Sequence, residues 1–122
     1  MRKQMSNYYE KLQGHSDQVN REELLERLCG SEQLVNKFIG VFKETFKEVA
    51  MDIEKEIEAH QFKEARTLVH KLKGSSGNLN LAQIYEKSCL LEEALKGEQI
   101  GETKDAFNAL KGTLEAFFKI IE

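Results

Sequence analysis

The most informative absence from this 122-residue sequence is proline, which does not occur at all. Proline interrupts helices, and it is common in linkers and in turn-rich all-β proteins. Its absence therefore favours long helices and argues against several domains joined by stiff linkers. The length fits one domain with a single modest core. The eight glycines are left as the main breaks in the helical pattern.

Other absences exclude whole classes of function. A formal net charge of −3 makes nucleic acid a poor partner, because phosphate binding needs a basic surface. No apolar run approaches the ~20 residues that span a bilayer, so we expect no membrane contact. Cys29 and Cys89 form no CxxC pair and are typical of buried, reduced thiols in a cytoplasmic protein. The spacing of His15, His60 and His70 fits no metal motif, so we expect no metal site.

Apolar residues recur at helical spacing along most of the chain. Residues 1–19 lack a sustained pattern and are predicted to be a flexible or frayed lead-in. Asn20 and Glu23 then have the spacing of a capping box, and five apolar stripes follow with short gaps between them. Short connections make successive helices antiparallel neighbours. We therefore predict an all-α protein whose residues 20–122 form an up-down antiparallel four-helix bundle with a short extra N-terminal helix.

Two of these stripes carry specific predictions about packing. The longest runs with three-four spacing from Leu34 through Phe38 to Ile57, which predicts one long helix with a single buried face. The stripe that begins near Leu81 places Tyr85 among the inward-facing residues. No segment shows the alternation of period two that is typical of a strand.

His70 differs from the other histidines in its place on the third main stripe. At ~100° per residue it lies about 150° from the apolar direction of that helix, so its side chain is expected to project into solvent. The other residues on this outward arc are cationic, hydroxylated or side-chain-free: Lys63, Arg66, Thr67, Lys73, Gly74 and Gly77. Glycine inside a helix costs ~1 kcal/mol relative to alanine. Two glycines on an exposed face therefore suggest that a partner approaches the backbone beside His70.

This arrangement favours a phosphoryl acceptor with a docking face. Imidazole, whose ordinary pKa is about 6.5, is largely neutral and nucleophilic near neutral pH. Nearby cations would stabilise an anion on the ring. The residues alone leave a plainer interpretation open, in which the histidine and cations are a solvated surface and Gly74 ends the helix.

The segment 70–79, which reads HKLKGSSGNL, resembles the signature of histidine-containing phosphotransfer (HPt) domains. The resemblance covers about residues 20–119 and implies a four-helix bundle with a phosphorylated histidine on an exposed helix face. It implies that His70 accepts a phosphoryl group, on Nε2, from a receiver-domain aspartate and passes it to another receiver. Lys73 would neutralise the phosphate, and Gly74 would leave room for the partner. Ser75 and Ser76 would support the turn, with Ser76 pointing toward the bundle.

The resemblance also implies the partners and the class of protein. The expected partners are response-regulator receiver domains and a hybrid sensor histidine kinase. The protein is expected to be a cytoplasmic monomer and a phosphocarrier without autokinase activity, not an enzyme. Mg²⁺ is expected only on the receiver, so no cofactor is expected here. Asn80 and Leu81 stand where glycine and alanine are usual, and because asparagine tolerates left-handed backbone we expect the turn to survive.

Two other functions compete with the phosphocarrier. A helical adaptor would bind a receiver or a partner helix without phosphorylation, and it would have no need of His70. A dimerisation domain of a sensor histidine kinase also carries an exposed histidine, but it is a two-helix hairpin followed by an ATP-binding domain. This sequence has more helices and no nucleotide motif, so that interpretation ranks last.

Overall fold

The computed structural model describes residues 6–122, which form seven helices joined by short turns. Their bounds are α1 Tyr8–Lys11, α2 Arg21–Arg27, α3 Glu32–Phe46, α4 Val49–Glu58, α5 Phe62–Asn78, α6 Ala82–Gly97 and α7 Ile100–Ile120. There is no strand in this part of the chain. The all-α prediction is confirmed. No helix among residues 6–122 is long and apolar enough to cross a membrane.

Four helices surround the main core. Helix α5 packs against α4 and α6, and α7 packs against α6 and α4, so that the four contacts close a ring. The apolar stripes supply fully buried side chains to its centre, among them Ile53, Leu72, Leu91 and Leu110. Helical bundles of this kind are stabilised mainly by burial of such stripes. The up-down order of the four helices stays a prediction.

The stripe from Leu34 to Ile57 does not form one helix, and this is the first difference from the sequence prediction. The helix ends at Phe46 and restarts at Val49, and neither glycine nor proline marks the break. Phe46 and Val49 are both buried and are three residues apart. The apolar spacing therefore continues through the turn, which is why periodicity alone predicted an unbroken helix.

The predicted lead-in is wrong for residues 6–19. Asn7 caps α1 by accepting a hydrogen bond from the Glu10 amide, and both Leu12 and Val19 are 1% exposed. The amide of Tyr9 donates to Oδ1 of Asn36 on α3 at 2.8 Å. The contact with Asn36 and the burial of Leu12 and Val19 depend on residues distant in sequence, so no local pattern reveals them. Residues 1–5, which belong to the same prediction, lie outside the described residues.

Four further side chains are more exposed than predicted. Phe38 is 39% exposed and Tyr85 is 42% exposed, although both continue an apolar stripe. Cys29 is exposed and Cys89 is half-buried, and both thiols are free. The bundle covers a narrower arc of α3 and α6 than the apolar residues occupy, so part of each stripe lies at the surface.

Helix α5 continues past both of its glycines and ends after Asn78. Asn80 adopts the left-handed conformation with φ of 57°. The Asn80 amide donates to the Gly77 carbonyl, and the Leu81 amide donates to the Ser76 carbonyl at 2.9 Å. This is the Schellman pattern, and the buried Leu81 supplies its apolar contact. The turn therefore forms with Asn80 and Leu81 where the family usually has glycine and alanine, as expected. Gly74 lies inside α5 and does not end the helix.

Candidate functional site

His70 lies near the middle of α5, and its side chain is 73% exposed. The outward direction predicted from the helical wheel is thus observed. A shallow polar depression lies beside the ring. Its other lining residues are four cations, one threonine and one carboxylate: Lys63, Arg66, Lys71, Lys96, Thr67 and Glu92. The structure therefore brings three of the predicted neighbours, Lys63, Arg66 and Thr67, to one surface with His70, and it adds Lys96 from α6.

Glu92 is the residue that sequence reasoning missed. It lies on α6, and its side chain is only 12% exposed. One carboxylate oxygen, Oε2, is 2.9 Å from Nδ1 of His70, and the other, Oε1, is 2.8 Å from Nζ of Lys73. No sequence signal could have found it, because Glu92 is 22 residues from His70 and the contact depends on how α6 packs on α5.

The bridge formed by Glu92 changes the protonation equilibria of two of its members. The hydrogen bond from Lys73 lowers the pKa of Glu92 below its ordinary value, and the hydrogen bond with His70 acts in the same direction. The same contact with Glu92 raises the pKa of Lys73. An opposite charge and a hydrogen bond both favour the ionised form. At neutral pH the carboxylate and the ammonium are therefore both charged.

The two glycines on the outward arc differ in their surroundings. A Cβ atom placed at Gly74 would have nothing within 4 Å, so nothing in the described chain requires glycine there. A Cβ atom at Gly77 would lie 3.1 Å and 3.2 Å from two ring atoms of Tyr85. Gly77 therefore gives room to a residue of its own chain. At Gly77 the structure therefore gives another reason for a glycine, and at Gly74 the room for a partner stays a prediction.

The two serines after Gly74 point in different directions. Ser76 is fully buried, and its hydroxyl donates to the Lys73 carbonyl at 3.1 Å, so it points into the bundle as expected. Ser75 lines an open apolar groove between α5 and α3, together with Leu79, Phe38 and Val41. Ser75 therefore belongs to this groove and not to the depression around His70.

Comparison with known families decides what kind of domain this is. The family model of the Hpt domain matches residues 37–119, which run from within α3 almost to the end of α7. The chain belongs to the Hpt domain family. No curated protein and no solved structure matches it. Membership implies histidine phosphotransfer in phosphorelay signalling and interaction with receiver domains, in which Hpt domains act as phosphocarriers and not as enzymes in general.

The match leaves out the first two helices, yet α2 contacts the part of the Hpt domain that carries His70. The Arg27 guanidinium donates to the carbonyls of Gly77 and Asn78 at 3.3 Å each and to the side chain of Asn80. A cation at a helix C-terminus satisfies the last carbonyls and opposes the negative end of the helix dipole. Arg27 thus holds the end of α5 in place.

Proposed function

We propose that His70 is the phosphoacceptor of this Hpt domain. In this proposal His70 takes a phosphoryl group from the aspartyl phosphate of one receiver domain and passes it to the aspartate of another. The observation that carries the proposal is the placement of the ring. Its Nδ1 is tied to Glu92, its side chain is largely exposed, and Nε2 has no hydrogen bond to any residue in 6–122.

The transfer step needs only one nucleophile from this chain. The lone pair on Nε2 attacks the phosphorus, the P–O bond of the acyl phosphate breaks, and its electron pair returns to the carboxylate of the receiver. The reverse step gives the phosphoryl group to the second aspartate. The cations around the ring, including Lys63, Arg66 and Lys73, lower the electrostatic cost of placing the anion there.

The same proposal extends to the partners. Response-regulator receiver domains, and a hybrid sensor histidine kinase that carries one, would supply and accept the group, with any Mg²⁺ held by the receiver. Docking on the face that carries Lys63, Arg66, Thr67 and Gly74 would bring the aspartate to Nε2. We further propose that the protein acts as a monomer in the cytoplasm.

The test is label transfer from receiver domains charged with acetyl phosphate, with phosphoramidate as a small donor that needs no docking. Wild type should gain an acid-labile label from both, and His70→Gln should gain none. His60→Asn is the matched control, because it removes another exposed histidine at a position with φ of 55° that asparagine tolerates. It should be labelled like wild type.

Two outcomes would overturn the proposal. Equal labelling of His70→Gln and wild type would show that another residue accepts the group. Absence of any label on wild type, together with stable binding of a receiver, would instead favour the adaptor that acts without phosphorylation.

A further inference from the structure

We propose that Arg27 and Asn80 act together as a latch between α2 and the end of α5, and that this latch fixes one wall of the apolar groove that a receiver domain covers when it docks on His70. The inference rests on the proposed function of His70 for its consequence in transfer. The latch itself can be measured without any transfer reaction.

The first step of the argument is the set of oxygens that Arg27 reaches from the end of α2. Its Nη1 atom donates to the carbonyl oxygens of Gly77 and Asn78 at 3.3 Å each and, at a shorter distance, to Oδ1 of Asn80. The two carbonyls belong to the last turn of α5, and no other hydrogen bond joins α2 to α5 among residues 6–122. Arg27 is therefore the polar link between these two helices in the described chain.

The second step concerns the residue at position 80. Its φ of 57° lies in the left-handed region, where glycine is the usual residue at the end of a helix because it has no Cβ atom. Glycine would form this turn at a lower conformational cost, but it has no side-chain oxygen. Asparagine tolerates the same backbone and supplies the acceptor that Arg27 binds, so it serves both the turn and the contact with α2.

The third step is the place of α2 beside the groove. Leu28 directly follows Arg27, and its half-buried side chain lines the groove together with Phe38 of α3 and Leu79 at the end of α5. Leu24, one turn earlier, is fully buried and anchors α2 to the core independently. Loss of the latch should therefore leave α2 in place but loosen its last residues, and with them the wall that Leu28 forms.

The fourth step connects the groove with docking. Ser75 and Asn78 line it and follow His70 on the same helix, at about 7.5 Å and about 12 Å along the axis. A standard interface covers about 800 Å² of each partner and is roughly 30 Å across. A receiver centred on His70 therefore covers the groove, and the position of Leu28 affects how well the two surfaces fit.

The direct test is amide hydrogen exchange measured by NMR. In Arg27→Met the amides of Leu28 and Gly30, which bond to carbonyls within α2, should exchange about fivefold faster than in wild type, the factor for one net hydrogen bond. Asn80→Gly should also speed this exchange, because Arg27 loses its shortest contact. In the double variant the rates should equal those of Arg27→Met, since both substitutions break the same latch. Amides of α6 and α7 should not change, which checks that the bundle is intact.

Transfer from a charged receiver tests the consequence for docking. Arg27→Met should raise the receiver concentration for half-maximal transfer about fivefold and leave the maximal rate within about twofold of wild type. Labelling by phosphoramidate should be unchanged, because that donor needs no docking. Arg27→Lys should behave like wild type within about twofold, since all three contacts come from one nitrogen and an ammonium group can donate to the same oxygens.

Lys37→Met is the matched control for the lost charge. Lys37 is an exposed cation on α3, one turn before the groove residue Val41, and it has no hydrogen bond or ion pair with any residue in 6–122. A positive charge that attracted the receiver directly would make Lys37→Met and Arg27→Met weaken docking alike. We expect Lys37→Met to keep the half-maximal concentration within about twofold of wild type and to leave exchange in α2 unchanged.

Each contrary result has one meaning. Unchanged exchange at Leu28 and Gly30 in Arg27→Met, or a double variant that exceeds Arg27→Met, overturns the latch. Faster exchange with an unchanged half-maximal concentration, or an equal rise for Lys37→Met, overturns its role in docking. If the exchange results hold but wild type takes no label from any donor, the proposed function fails while the latch stands.

Discussion

Helix α5 has α6 on one side and the groove toward α3 on the other, and the two sides are built from different chemistry. Toward α6, the contacts are internal and close: Glu92 binds His70 and Lys73, and the Tyr85 ring lies against Gly77. Toward α3, the surface is open and apolar, with Val41 54% exposed. A Cβ atom at Gly74 would meet nothing within 4 Å, so this position on α5 is open as well.

This difference separates two properties that one histidine needs. The α6 side contacts the ring itself, through Glu92. The α3 side is open among residues 6–122, and a docked receiver would be able to contact it. Phosphoramidate reports on the α6 side alone, whereas a charged receiver reports on both. Four substitutions, ordered by the size of the expected effect, test this division.

The largest effect is expected at Gly74. Gly74→Gln should slow transfer from a charged receiver by about tenfold, since the new side chain occupies surface that the partner must approach, and it should leave phosphoramidate labelling unchanged. The helix should become slightly more stable, because glutamine forms helix better than glycine. Rates with both donors and a urea melt measure these outcomes.

Gly112→Gln is the control for this substitution. Gly112 is another glycine inside a long helix without neighbours, but it lies on α7. Gly112→Gln should stabilise the protein by the same amount, and it should accept the phosphoryl group from a charged receiver at the wild-type rate. Equal receiver rates for Gly74→Gln and wild type would contradict a role for Gly74 in docking.

A substitution at Gly77 tests the side of α5 that faces α6. Gly77→Leu should destabilise the protein by about 1 kcal/mol, because displacing the Tyr85 ring costs more than the gain in helix propensity returns. Gly112→Leu should instead stabilise it by several tenths of a kcal/mol. Urea unfolding of both variants measures the contrast. A stabilised Gly77→Leu would show that the Tyr85 ring moves aside freely and that the contact does not constrain α5.

A smaller effect on transfer from a receiver is expected for a substitution in the groove between α5 and α3. Ser75 lines this groove and lies about 7.5 Å along the helix axis from His70, within the area that a docked receiver covers. Val41→Ser should therefore slow transfer from a receiver by about threefold and leave phosphoramidate labelling and stability nearly unchanged. Met51→Ser is the control, since Met51 is 62% exposed on α4 and does not line this groove. Equal slowing of both variants would contradict a specific role for the groove.

The smallest effect is a pH dependence of stability from the Glu92 bridge. The pKa of Glu92 is lowered in the folded protein. Its contribution is therefore present above the ordinary value of 4.5 and is lost as the pH falls through the folded value. The difference in unfolding free energy between wild type and Glu92→Gln should shrink as the pH falls below 4.5. Glu93→Gln, which changes an exposed side chain, should not show this change. A difference between wild type and Glu92→Gln that grows on acidification would contradict the prediction.

Much of α5 could be predicted from its own residues. The apolar positions from Phe62 to Leu72 share one face, so the outward direction of His70 follows from helical geometry. The left-handed Asn80 also follows from a local preference. The same reasoning misjudged Gly77, because a small residue on an outer arc gives no sign that a ring from the next helix lies against it.

The break between Phe46 and Val49 and the packing of residues 6–19 were missed for a related reason. At the break, buried residues keep helical spacing through a turn that no special residue marks. In the N-terminal segment, two isolated apolar residues, Leu12 and Val19, are buried by the rest of the bundle. Periodicity detects the buried face of a continuous helix. Neither the break between Phe46 and Val49 nor the N-terminal segment is a continuous helix.

The sequence by itself determined the helices, the family signature and the exposure of His70, because each depends on residues within a few turns of one another. Only the tertiary structure decided that Glu92 binds both His70 and Lys73, that Tyr85 fills the space at Gly77, and that the α3 side of α5 stays open. Those features depend on the rotation and offset of one helix against another. Packing of complete side chains sets that alignment, and the spacing of residues along a single helix does not encode it.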